Sequence, residues 1–194
     1  MNSDGGDVYA AMAIGAMFRA ARAEASVPRL GKCLSSCVFV LAGSVKRYYG
    51  GGPVGIHRPY STDTESVSYE VMQTRATRLG SDVSAYLSMM NIPPLLYQNM
   101  RLVPPDKINI LNPDEMKSYG LYEDDPVFAE LKDNFDANKA GVSKSEYLGK
   151  KDAISKCQLQ AYNRMVQESN DSGYVKDALN KFKKAWADCY KTAN

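Results

Sequence analysis

Residues 37 to 43 read CVFVLAG, and none of their side chains carries a charge. A run of this kind cannot sit on a surface, and it is far too short to span a bilayer. At this length, periodicity does not separate a buried strand from a buried helix. Ahead of it, residues 7 to 25 read as a helix. Val8, Met12, Gly15 and Phe18 follow helical spacing, alanine is abundant, and the first charge after Asp7 is Arg19. A helix apolar nearly all round packs on more than one side. The chain has 194 residues, enough for one ordinary domain with a small appendage. At 44% apolar and 24% charged it has the composition of a soluble globular protein. A net charge of +2 supplies no basic footprint for nucleic acid.

The remaining elements are punctuated more clearly. Residues 1 to 6, MNSDGG, read as a turn. The opening stretch lacks the basic start and cleavage site of a signal peptide. KRYYGGGPVGIHRPY reads as a short strand, a glycine turn, a second short strand and a stop at Pro59. Residues 61 to 66 are a polar loop. Residues 67 to 90 form a long helix in which Val67, Val71, Leu79, Val83, Leu87 and Met90 share a face, and NIPP ends it. INIL, from Ile108, is a short strand. In NPDEMKSYGL, Asn112 caps a helix, Pro113 fits its first turn, Glu115 completes a capping box and Gly120 ends it. Residues 124 to 142 are charged and linker-like. Residues 143 to 194 read as a helical hairpin. One stripe carries Ile154, Cys157, Ala161 and Met165; the other carries Val175, Ala178, Leu179, Phe182, Trp186 and Cys189.

Two serines stand at the mouth of the apolar run, in LGKCLSSCVFVLAG. A serine nucleophile needs a base within reach and backbone donors for an oxyanion, at a strained turn or helix start. A serine just before a buried helix meets the last requirement, although a plain N-cap is the commoner use of such a residue. The sole histidine, His57, lies on a predicted strand between a glycine turn and a proline. In DGGD, paired glycines expose backbone N–H groups just before a helix. Four cysteines, Cys33, Cys37, Cys157 and Cys189, suit an oxidising compartment and allow three pairings. Cys157 with Cys189 would staple the hairpin. Cys33 and Cys37 could bridge where the turn folds back, or pack as small buried thiols. With one histidine and no CxxC, no metal site is expected.

The order of these parts resembles the Clp protease proteolytic subunit and its relatives in the ClpP/crotonase superfamily. NSDGGDVYAAMAIG is similar to the family's NSPGG turn and helix, LSSCVFVLAG to its nucleophile segment, GPVGIHRP to its IHQP strand, and ILNPDEMKSYGL to its closing FLSAxEAxEYGL. The nearest likeness is to a branch of predicted exported bacterial proteins with a C-x-S-x-C segment. The resemblance covers residues 1 to about 122. It implies an α/β fold: a ClpP/crotonase-like core of repeated β-β-α units in a spiral, over residues 1–123. On this resemblance the core would lack its N-terminal strands and be followed by the C-terminal α-helical hairpin. The missing strands would leave an unpaired sheet edge and put Gly6 on a loose terminus.

Carried over residue by residue, the resemblance makes Ser35 the nucleophile and His57 the general base, with the N–H groups of Gly6 and Ser36 forming the oxyanion hole. Ser36 is the alternative nucleophile. The position aligned with the family's aspartate is Ile108, which cannot orient an imidazole. Asp106, two residues earlier, faces the same side of a strand and is the expected third member. Asn109 is the fallback, and a Ser–His dyad follows if neither reaches. The implied activity is peptide hydrolysis through an acyl-enzyme on a peptide or protein substrate, with no cofactor, in an exported, periplasmic setting. A homo-oligomer is compatible with it; a membrane span and nucleic acid are not expected. The alternatives are a non-catalytic binding or assembly module on the same fold and, more weakly, crotonase-like acyl-thioester chemistry.

Overall fold

The computed structural model describes residues 1–60, 68–172 and 175–191. The polar loop expected at 61–66 lies outside them, as do Val67 and Gly173. The chain divides into two compact units, Met1–Ala129 and Glu130–Asn194.

The first unit is a mixed α/β structure. Helix α1, Val8–Ala20, starts where the Asp7 carboxylate accepts the Ala10 N–H at 2.7 Å. It stops five residues earlier than the sequence reading places it. Arg22 takes a left-handed φ of 51°, and the chain leaves as strand β1, Glu24–Pro28. That strand is invisible to a helical reading because its alternating burial only has meaning beside a partner. Strand β2, Cys33–Leu34, leads into α2, Cys37–Gly43. Thus CVFVLAG is a helix, and all seven of its residues are buried. Strands β3, Lys46–Gly50, and β4, Val54–Ile56, flank the glycine turn as expected, but they do not pair as a hairpin. They belong to two separate three-stranded sheets, ordered β1-β3-β6 and β2-β4-β5, with β5 at Asn109–Ile110 and β6 at Glu123–Asp124. In each sheet the first pair is parallel and the second antiparallel.

Helices α1 and α2 cross where Gly43 meets Gly15. A Cβ on Gly43 would stand 2.2 Å from the Gly15 carbonyl oxygen, so only glycine permits this approach. The long helix α3, Tyr69–Met89, packs Leu79, Val83 and Leu87 inward, while Val71 is exposed. Its Tyr86 hydroxyl donates to the Phe39 carbonyl at 2.6 Å, tying α3 to α2. Helix α4, Pro94–Leu102, begins within the segment read as a helix stop, because its proline occupies the first turn, where no N–H is needed. Helix α5, Pro113–Ser118, has the full capping box between Asn112 and Glu115.

The segment 124–142 is not a loose linker. Most of it is helix α6, Pro126–Lys139, and the boundary between the units falls inside that helix. Asp125 anchors its start: one carboxylate oxygen accepts the Phe128 N–H at 2.9 Å, and the other faces Arg19 at 2.9 Å. The second unit contains the rest of α6 and the hairpin of α7, Lys144–Ser172, and α8, Val175–Asp188. Cys157 and Cys189 form the expected disulfide across it. Among the described residues, no helix is long and apolar enough to cross a membrane.

Candidate active site

Parallel pairing of β2 with β4 builds the centre of the site. The register sets Cys33 against Val54 and Leu34 against Gly55, and the Ser35 N–H donates to the Gly55 carbonyl at 2.9 Å. Ser35 therefore leaves the end of β2 beside the end of β4, where His57 follows Ile56. The Ser35 hydroxyl and His57 Nε2 lie 2.6 Å apart. Ser35 has φ +57°, a left-handed conformation that costs a residue bearing a Cβ. Strand, strained serine and buried helix in succession is the arrangement that thrusts a nucleophile out of a turn.

The second imidazole nitrogen determines how the first can act. His57 Nδ1 lies 3.0 Å from the carbonyl oxygen of Arg58. A carbonyl only accepts, so Nδ1 carries the proton in this contact. Nε2 is then the lone-pair nitrogen facing the Ser35 hydroxyl, the tautomer a general base requires. The ring is buried and stands 5.9 Å from the ring of half-exposed Tyr60.

Asp106 does not take the place expected of it. Strand β5 begins only at Asn109, and the preceding Pro104-Pro105-Asp106-Lys107 closes as a turn with the Lys107 N–H on the Pro104 carbonyl at 3.1 Å. Asp106 is exposed there, and no hydrogen bond joins it to His57. Asn109 is also exposed and pairs through its backbone with Ile56. The same register, continued by one residue, sets Ile108 opposite His57. Its side chain packs over Gly55, where an added Cβ would come within 2.5 Å of it. An apolar residue thus occupies the position where a carboxylate was sought.

The glycine turn is held over Ser35. Residues preceding it run alongside β2: the Ser3 N–H donates to the Lys32 carbonyl and the Leu34 N–H to the Ser3 carbonyl, at 2.9 and 3.1 Å. Gly6 is pinned by this bridge and does not lie on a loose end. Gly5, not singled out from the sequence, is the tighter fit. Its φ is +100°, and a Cβ there would stand 2.7 Å from Ser35 Cβ and 3.1 Å from Oγ. Gly6 faces open space, and neither its N–H nor that of Ser36 has a protein acceptor among the described residues. Both residues line a cavity of about 960 Å³ that also contains Ser35 and His57. Phe39, Leu79, Met100 and Ile108 supply its apolar wall. The charged residues bordering it are Asp4, Asp7, Arg75 and Arg78. Asp4 is paired with Lys32, and Asp7 caps α1.

No protein-family model matches this chain, and no curated protein matches its sequence.

Both cysteine pairs are disulfides. Cys33–Cys37, with Cα atoms 5.2 Å apart, spans the serine turn itself. Both half-cystines are buried, at 0% and 3% exposure. Two residues flanking Ser35 are therefore cross-linked, which is the bridged one of the two arrangements the sequence left open for them.

Proposed function

We propose that this chain is a serine-type peptidase of the Clp-protease-like class, with the family's spiral core as its fold. The observation that carries the reading is the 2.6 Å contact between Ser35 Oγ and His57 Nε2 at a left-handed serine. Ser35 attacks the scissile carbonyl while His57 Nε2 takes its proton. The oxyanion of the tetrahedral intermediate is held by the Gly6 and Ser36 N–H groups. His57 then returns the proton to the leaving amine, and an acyl-enzyme remains on Ser35. Water, deprotonated by His57, releases it. The Arg58 carbonyl fixes the tautomer, but it carries no full charge to stabilise the imidazolium. A dyad of this kind is a weaker base than a triad with a buried carboxylate. Two disulfides support an exported, periplasmic setting.

The competing reading is a non-catalytic binding module on the same fold, favoured by the lack of a carboxylate on His57 Nδ1 among the described residues. Crotonase-like thioester chemistry has less support, since it does not rely on a Ser–His pair. Labelling by a fluorophosphonate separates the readings. The expected result is stoichiometric labelling of the folded chain, lost in Ser35→Ala and His57→Ala and kept in Ser36→Ala. A folded chain that takes no label leaves the binding module as the better reading.

A further inference from the structure

The Cys33–Cys37 disulfide encloses Ser35 in a ring of five residues. Cys33 is the first residue of β2 and Cys37 the first of α2, so the bridge ties strand to helix across the turn between them. Within that turn Ser35 is held at φ +57°. A serine left to itself prefers negative φ, and relaxing to it would swing the hydroxyl away from His57 Nε2. Backbone bonds restrain residues 35 and 36 at three points: the Ser35 N–H donates to the Gly55 carbonyl, the Val38 N–H to the Ser35 carbonyl and the Phe39 N–H to the Ser36 carbonyl. All three lie on one side or the other of the turn, and the Ser36 N–H has no acceptor among the described residues. The covalent bridge adds a restraint of another kind, since it fixes the two ends of the turn to each other.

The bridge is poorly placed to act through the unfolded chain. Closing a sequence separation of 4 removes much less chain entropy than closing the separation of 32 at Cys157–Cys189. Its local effect on the turn is the larger one. We infer that the Cys33–Cys37 disulfide is a positioning brace for the nucleophile, and that the Ser35–His57 pair is fully competent only while this bridge is closed. Opening it takes a dithiol or phosphine reductant: two electrons break the sulfur–sulfur bond and two thiols form at Cys33 and Cys37. A dithiol supplies both protons and leaves as its disulfide; with a phosphine, water supplies both protons and its oxygen leaves on the phosphine oxide. The inference rests on the hydrolase reading above.

The test separates positioning from folding by measuring saturable fluorophosphonate inactivation, in which the maximal rate and the half-saturating concentration are independent. In Cys33→Ala/Cys37→Ala the maximal rate per folded molecule is expected to fall by about tenfold to a hundredfold, the cost of an ångström-scale misplacement, with half-saturation little changed. Cys157→Ala/Cys189→Ala is expected to keep the wild-type rate. The same loss is expected in wild-type protein whose thiols at Cys33 and Cys37 are shown open by mass after phosphine treatment, with recovery on reoxidation. An unchanged maximal rate in the folded double variant overturns the brace and leaves the hydrolase standing. A chain that unfolds whenever the bridge opens also overturns it, since the bridge is then a stability element. An oxidised, folded wild type that never labels removes the hydrolase reading itself.

Discussion

At the scale of single residues, the site depends on two unusual backbone positions that face each other. Ser35 is left-handed, and Gly5 is left-handed against it with no room for a side chain. Gly5→Ala is expected to push the turn off Ser35, slowing fluorophosphonate labelling by about tenfold or more and costing about 1–3 kcal/mol from the φ value and the clash together. Thermal unfolding beside labelling kinetics checks both. Sequence made Ser35 and His57 legible, the first by its place before an apolar run and the second because it is the sole histidine. It pointed to Gly6 but passed over Gly5, because two adjacent glycines look alike until the residue facing each is known. Asp106 was the failure. The alternation argument assumed a strand that the Pro104-Pro105 turn interrupts, and the group that faces His57 Nδ1 is the carbonyl of the adjacent Arg58.

At the scale of elements, one buried ion cluster joins several of them. Arg47, on β3 and 2% exposed, donates to the carbonyls of Gly120, Ala42 and Met90 and lies 3.6 Å from Asp125. Burial pushes its guanidinium down to about 10, against the opposing pull of Asp125. Burial alone would raise the Asp125 carboxyl; the Phe128 N–H, the Asn91 amide and Arg19 outweigh it and hold it below its ordinary 3.8. A carboxyl lowered in the folded state contributes stability that is full above that value and is lost as pH falls through the lower folded value. Acid unfolding of wild type should therefore steepen below about pH 4, and Asp125→Asn should lack that component. The same variant leaves two arginines without their carboxylate and is expected to cost about 3–5 kcal/mol in urea unfolding at neutral pH. Nothing in the sequence marked Arg47 as interior, since a charged residue beside two tyrosines looks like a surface strand.

At the scale of the whole molecule, the two units should respond separately to their two disulfides. Cys157→Ala/Cys189→Ala is expected to lower the stability of the α7–α8 hairpin by about 3–4 kcal/mol, from the loop the bridge closes. Calorimetry that resolves the hairpin transition checks this, with Ser35 labelling as the unaffected reference. The sequence by itself determined the helices with strong local signals. These are α1 with its helical apolar spacing, α3 with its inward stripe, α5 with its capping box and the hairpin with a cysteine on each facing stripe. Such signals act between residues three or four apart, so spacing alone reveals them. Only the tertiary structure decided that β3 and β4 join different sheets and that β1 exists at all. It alone closed Cys33 onto Cys37 and set a backbone carbonyl behind His57. Strand pairing joins residues far apart in sequence through backbone groups that every residue carries. No side-chain pattern therefore encodes which edge a short strand will meet.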